Sequence, residues 1–483
     1  MLTKVDIPMH PAKAKVLLAS ALFGATATAQ AATVFKHIIF VIQENRTPDN
    51  LFGSFPKFEH GVDVQPAGVN SLGKTIPLTA EVMAGCYDIS HAHSAFEAML
   101  NEGADQEPIN GDPGGCTIPA NPQFKYVDNS TGEVQPYFDI ATNYGFANRM
   151  FQTQQGPSFP AHQFLFAGTS APSTDSPLFA SENMFNEHES AGCIAPADQT
   201  VKLIDPTGSE TSNAPIYPCF EHPTMGDLLD RANISWRYYA PTPGSIWTAP
   251  NSISHMCGAA VVGGVLQCEG KDWTNGSLAP YNPALVLSDI QQCSLAAVSW
   301  VIPTGDESDH ATITDGTGPA WVASIVNTLG EQPTCEPSGE NYWKDTAILI
   351  TWDDWGGWFD HVKPPMVKVQ PTSPPAWGDG YVYGFRVPLL VVSAYTPAGY
   401  VDNDTHDFGS MLYFAERNFR LGFIGPGNTI YSNYDDYQDA TRGDDLEKFF
   451  PLATPKPFVP IPSPQSAAFF LNRPLSSAAP DND

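Results

Sequence analysis

Basic residues are scarce in this chain: 23 Lys and Arg stand against 52 Asp and Glu, a formal charge of −29 at pH 7. A surface of that sign repels DNA and anionic lipid heads, which argues against nucleic acid as a partner. It leaves anionic small substrates open, because one bound metal ion can reverse the charge of a pocket. Beyond the N-terminal segment there is also no run of about 18 uninterrupted apolar residues, so no integral membrane segment is expected. No CxxC pair occurs, which removes the usual zinc and thiol-redox spacings, and no internal repeat is present.

What is present first suggests export. Lys4, Lys13 and Lys15 precede the apolar stretch Val16–Phe23, and Ala29-Gln30-Ala31 is a small-residue cleavage site. Residues 1–31 are therefore predicted to be a signal peptide, with the mature protein secreted or periplasmic. Three lysines and one aspartate leave with it, taking the charge to about −31. All eight cysteines lie beyond that segment. An even number in an exported chain favours disulfides, and sequential pairing such as Cys257 with Cys268 would clip local loops, although connectivity stays open.

Short, continuously apolar runs read as strands buried on both faces: His37–Gln43, Trp236–Tyr239, Leu295–Val301, Thr346–Trp352 and Val387–Ser393. Between them, amphipathic patterns predict helices over Tyr137–Met150, Thr224–Ala232 with Thr224 and Asp227 as a capping box, Ala320–Leu329 and Ser410–Phe419. Interleaving of this kind implies an α/β fold with a helix-covered, mostly parallel sheet. Gln65–Thr79, Gly103–Ser130 and Ala171–Ser212 are too long for plain connections and are expected to be excursions held by disulfides. Residues 32–450 form the expected catalytic domain, and 451–483, rich in Pro, Ser and Ala, an extended, poorly ordered tail.

Two strand ends carry the chemistry. His37–Gln43 runs into Glu44-Asn45-Arg46, and Thr346–Trp352 into Asp353-Asp354, with Gly356-Gly357 and Asp360-His361 behind. Ligands of open α/β sheets sit beyond the carboxyl ends of strands, so Glu44, Asn45, Asp353 and Asp354 are candidate oxygen ligands for one divalent metal. Calcium fits such a set best, with magnesium, manganese or zinc as alternatives. One such junction alone is more simply explained by the liking of Asp and Glu for turns; two reverse the balance. Ser158, in Gly156-Pro157-Ser158-Phe159-Pro160, is held in a rigid turn that presents its hydroxyl. His91 and His93, His310 after Asp309, and His361 at the end of the glycine loop supply candidate acids, bases and oxygen-binding groups. Together these satisfy phosphoryl transfer, with Ser158 Oγ attacking and a metal taking up charge on the phosphoryl oxygens.

The same residues resemble a known family. Glu44-Asn45-Arg46-Thr47-Pro48-Asp49-Asn50-Leu51-Phe52-Gly53 is similar to the ENRSFDxxFG signature of the bacterial phosphoesterases that include phospholipases C and the respiratory-burst-inhibiting acid phosphatase. Asp353-Asp354-Trp355-Gly356-Gly357-Trp358-Phe359-Asp360-His361-Val362-Lys363-Pro364-Pro365 resembles that family's DExGGxFDHVxPP block. Gly156-Pro157-Ser158-Phe159-Pro160 followed by Ala167-Gly168-Thr169 resembles its nucleophile segment. Ser308-Asp309-His310, Tyr383–Pro388 and His406–Ser410 fall in family order. The resemblance implies an alkaline phosphatase-like fold, a phosphorylated Ser or Thr, a phosphate ester or phospholipid substrate, and metal ligation by Glu44, Asn45, Asp353 and Asp354. On the same basis Ser158 is the expected nucleophile; His91 is expected to contact a phosphoryl oxygen, His310 to serve the leaving group and His361 to support the site.

The chain departs from the pattern at Pro48, at Ala161-His162 where Asn-Arg is common, at Asp354 for Glu and at Trp355 for a small residue. Protonated, His162 would replace an arginine and favour activity in acid; with His93 it completes the expected substrate-binding residues. Trp352, Trp355 and Trp358 form either an aromatic rim or core packing. Two other readings stand beside hydrolysis of phosphate esters: a sulfatase-like hydrolase, against which His162 ends the Ser-x-Pro-x-Arg position, and a non-catalytic exported binding protein with a degenerate site.

Overall fold

The computed structural model describes residues 35–476 apart from 56–60, 107–108, 111–115, 175, 186–190, 206–207, 212–214, 243, 279–280, 333, 336–337, 369–378 and 425–445. The expected signal peptide and the last seven residues of the tail lie outside the described residues.

The centre is a seven-stranded sheet built from β1 (His37–Gln43), β2 (Gly145–Ala147), β3 (Trp236–Tyr239), β4 (Val298–Val301), β5 (Thr346–Trp352), β6 (Leu389–Ser393) and β7 (Tyr400–Asp402). Its spatial order is β3-β4-β1-β5-β6-β2-β7. β3, β4, β1 and β5 run parallel; β6 pairs antiparallel with both β5 and β2, and β7 is parallel to β2. Only β6 opposes the common direction, so the sheet is mostly parallel, as expected. Every residue of β1, β5 and β6 is buried, which requires cover on both faces and accounts for runs with no polar alternation.

The cover comes from α1 (Gln135–Asn143), α2 (Ser158–Ala167), α3 (Met225–Ala232), α4 (Gly318–Glu331) and α5 (Phe408–Phe419). α1 packs on α4, and α2 on α5 and α3. The Thr224–Asp227 capping box starts α3 as predicted, and a second box, Asp407 with Ser410, starts α5. Four disulfides, Cys86–Cys116, Cys193–Cys219, Cys257–Cys268 and Cys293–Cys335, join neighbours in sequence; the first two clip the excursions Gly103–Ser130 and Ala171–Ser212, whereas Gln65–Thr79 holds no cysteine.

Two expectations fail. The helix expected over Tyr137–Met150 stops at Asn143, and Gly145–Ala147 enters the sheet instead. Gly145 is a poor helix former, and a Cβ there would lie 2.8 Å from the Phe449 ring, so the chain passes Phe449 only as glycine. The tail is extended over 451–465, but the described part is fastened rather than loose. Lys456 N donates to Ala394 O and Ile461 N to Asn327 Oδ1, both at 2.8 Å. Phe470, in a short helix Ala467–Asn472, is buried against Trp321 of α4.

Candidate active site

β1 and β5 pair in full register, from His37 opposite Thr346 to Gln43 opposite Trp352. The two strands therefore end side by side, and Glu44 and Asp353 emerge together; Asp353 N donates to Gln43 O at 3.0 Å. Asn45 turns the chain with φ 62°, a left-handed conformation that asparagine tolerates and most side chains do not. Behind Asp354, Gly356 also has positive φ, and a Cβ on it would sit 2.4 Å from Asn45 O. The glycine loop is thus pressed directly onto the Glu44-Asn45 turn, which explains that part of its sequence.

The group assembled here has no exposure to speak of: Glu44, His91, Ser158, His162, Asp353 and Asp354 are each 0% exposed, and Asn45 and His310 1%. Ser158 opens α2, and its Oγ donates to Glu44 Oε2 at 3.3 Å. His162, one turn along α2, places Nε2 3.1 Å from Glu44 Oε1 and 3.8 Å from Asp353 Oδ2. Asp353 Oδ1 accepts from Asn45 N and Asp354 N at 3.2 and 2.8 Å. Asp354 uses one oxygen to accept from Gly356 N at 2.7 Å, holding the loop. His91 Nδ1 sits 3.0 Å from Ile89 O, which fixes Nδ1 as the donor and turns Nε2 toward the Asn45 amide, 3.0 Å away. His310 lies beside it, ring centroids 5.8 Å apart, with Nε2 3.9 Å from Asp88 Oδ2.

One ligand atom each from Glu44, His162 and Asp353 falls within 4.8 Å of the other two, a spacing that fits a metal ion. With its nitrogen toward the carboxylates, the Asn45 amide donates to Glu44 Oε2 at 3.2 Å and Asp353 Oδ1 at 2.9 Å, and its oxygen faces His91 Nε2 at 3.0 Å and His310 Nε2 at 3.2 Å. Asp353 Oδ2, by contrast, is buried without a hydrogen-bond partner. The donor set fits a divalent ion.

His162 is where the structure departs from the sequence reading. Burial, only partly opposed by Asp353, lowers its pKa to about 4, so near neutrality it is an uncharged imidazole and cannot replace an arginine's charge. Its neighbours make it a candidate metal ligand instead. His93, buried, has its ring nitrogens 2.8 Å from Gln155 O and 3.2 Å from Gly208 O, against the loop that leads into Ser158. His361 belongs to a second group: Nδ1 is 2.7 Å from Asp49 Oδ2 and Nε2 3.1 Å from Asp63 Oδ1. Trp352, Trp355 and Trp358 are 0–2% exposed, which decides for core packing over a rim. Trp355 lies edge-on to His91, and Arg46 lies over Trp358.

Some functional candidates escaped the sequence reading. The Asp309 carboxylate is held by Tyr137 Oη at 2.8 Å and Trp352 Nε1 at 2.9 Å, and its carbonyl accepts from Arg46, so it anchors the loop carrying His310. Burial, against those two donors, raises its pKa to about 7. Asn183 Oδ1 accepts from Phe159 N at 2.9 Å, capping the first turn of α2 next to Ser158. Nothing in the spacing marks either residue, because each acts through a partner far away in sequence.

With this geometry in place, comparison with known proteins adds the following. The Phosphoesterase family model matches residues 35–422. Phospholipase C A of Mycobacterium tuberculosis (strain CDC 1551 / Oshkosh) is 24% identical over 486 residues, spanning 93% of this chain and 82% of that protein. The non-hemolytic phospholipase C of Pseudomonas aeruginosa is 23% identical over 468 residues, 89% of this chain and 60% of its own length. Among solved structures, a protein in the alkaline phosphatase superfamily from Vibrio parahaemolyticus aligns with a TM-score of 0.32 at 8% identity, covering 81% of this chain and 67% of that one.

Proposed function

The chain belongs to the Phosphoesterase family and is a phosphoric ester hydrolase, and on that premise we propose that it works through a phosphoserine at Ser158 with a divalent metal in the buried group. Glu44, Asn45, Asp353 and His162 would hold the ion, with Asp354 beside them; calcium, magnesium, manganese and zinc are the candidates. When bound, the metal would lower the pKa of a hydroxyl and neutralise phosphoryl oxygens.

The single observation that carries the reading is Ser158 Oγ, fully buried at the start of α2 and hydrogen-bonded to Glu44 Oε2 at 3.3 Å. That bond aligns the hydroxyl and gives its proton an acceptor in Glu44 Oε2, so as the proton leaves a lone pair on Oγ forms the bond to phosphorus while the bond to the ester's leaving oxygen breaks. As an imidazolium, with Nδ1 donating to Ile89 O, His91 holds a non-bridging oxygen by donating from Nε2. His310 gives the leaving oxygen its proton, and water then hydrolyses the phosphoserine. Burial excludes bulk water until the ester occupies the site.

Relatives named phospholipases C favour a phosphodiester, and turnover of p-nitrophenylphosphorylcholine against p-nitrophenyl phosphate separates diesterase from monoesterase action. The disulfides support a secreted or periplasmic location, since they persist in oxidising compartments. Rapid quench with a phosphate-labelled monoester is expected to leave label on the peptide containing Ser158. Ser158→Ala should lose that label and turnover by about 10³-fold or more, with metal retained. A Ser158→Ala enzyme near wild-type rate would instead make water the attacking group.

A further inference from the structure

Away from the site, strands Ala259–Val262 and Val265–Cys268 form an isolated antiparallel hairpin. Its tip is Gly263-Gly264, with φ of 61° and 91°, the two-residue turn that needs left-handed backbone at both positions. Val261, Val262, Val265 and Leu266 are 70%, 46%, 64% and 39% exposed, so four of the ten exposed large apolar side chains among the described residues gather on this one hairpin. Because successive residues of a strand point to opposite faces, the tip is apolar on both sides, and Gln267 enters one face only nearer the base.

We propose that this hairpin docks the protein on a charge-neutral lipid surface. A protein groove covers one face of a two-stranded ribbon, whereas lipid surrounds both. Val262 pairs with Val265 and Val261 with Leu266, but the two edges of the ribbon stay open, so the tip seats at the headgroup level, where water and headgroups meet its outward N–H and C=O groups, and not in the hydrocarbon core. From Gly258 to Cys268 there is no charged side chain, while the chain as a whole carries −29. That contrast selects zwitterionic over anionic lipid. The Cys257–Cys268 disulfide ties the two ends of the ribbon, which would be marginal alone.

The base of the hairpin connects to the nucleophile helix. The short helix Ser254–Cys257 precedes the first strand, and Ser254 N donates to Phe220 O; the Phe220 ring packs 5.9 Å from Phe159, next to Ser158. Docking thus deepens the phosphoesterase reading, on which only its catalytic consequence rests, by assigning a substrate presented at an interface.

The test is co-flotation of the full protein with phosphatidylcholine vesicles, beside phosphatidylglycerol vesicles and turnover of soluble p-nitrophenylphosphorylcholine. Wild type should float with phosphatidylcholine. The variant Val261→Ser, Val262→Ser, Val265→Ser, Leu266→Ser should partition at least about tenfold more weakly, with soluble turnover within about twofold. The single Val265→Asp, at an exposed position and checked by thermal melting, should weaken flotation in the same direction. Wild type that stays out of the lipid layer, a hairpin variant that floats as well as wild type, or hairpin-dependent dimerisation without flotation would overturn the proposal. Flotation without turnover of any phosphate ester would leave the docking standing and remove the phosphoesterase reading.

Discussion

Two groups of acids and a histidine lie beyond the ends of β1 and β5, one buried throughout and the other with His361 and Asp63 part-exposed, and they solve the problem of buried negative charge differently. In one, Glu44, His162 and Asp353 converge on a neutral imidazole, and an oxygen of Asp353 is left without a hydrogen bond. In the other, Arg386 holds Asp360 by two bonds of 2.9 Å, and His361 bridges Asp49 and Asp63. Burial opposes the His361 charge, but the hydrogen bond and charge of Asp49 outweigh it and raise its pKa. The second group carries its own cations; the first has none, and with Asp353 Oδ2 unpartnered it is the one we propose takes a metal ion. Residue types alone do not distinguish a catalytic centre from a structural network, and the position of an arginine does.

The comparison breaks first on activity. Glu44→Gln or Asp353→Asn should lower kcat by about 10²-fold or more, because either change removes charge where the proposed metal would be held. Steady-state turnover on p-nitrophenylphosphorylcholine checks this, and a near-normal rate would move the centre elsewhere. In the second group the loss should appear in stability. Asp360→Asn leaves Arg386 buried with half its partner and should cost about 3–5 kcal/mol in denaturant unfolding. Residual folded enzyme should keep its metal.

A smaller effect sharpens the contrast between the histidines. Because the folded pKa of His361 is raised from 6.5, its contribution is complete below that value and lost as pH rises through the raised one. Stability should therefore fall with rising pH above the ordinary histidine range, and His361→Asn should flatten that slope. Smallest is Asn183→Ala, which uncaps Phe159 N and should cost about 1 kcal/mol. If Asn183 positions Ser158, kcat should drop more than KM changes; a pure stability loss would make it only a cap.

The parts of this molecule legible in sequence are those set by a local pattern. β1 and β5 were bounded to the residue, since seven consecutive apolar or neutral positions ended by carboxylates leave little choice. β2, three residues hidden behind a helix pattern, was not, because its pairing depends on β6 and on Phe449 far along the chain. Within the site, residue identities were readable and roles were less so. The sequence reads His162 as a replacement for an arginine, and only its burial between Glu44 and Asp353 makes it an uncharged candidate ligand. His361 follows the metal loop in sequence, yet positive φ at Gly356 and Gly357 turns the chain there, and His361 lies against Asp49.

The most direct test of this division is the metal content of purified wild type, Asp353→Asn and Asp360→Asn, measured by elemental analysis per folded chain. The account predicts a bound divalent ion in wild type, its loss from Asp353→Asn, and its retention in Asp360→Asn. An ion kept by Asp353→Asn and lost from Asp360→Asn, or a fully active wild type with no metal, would contradict it.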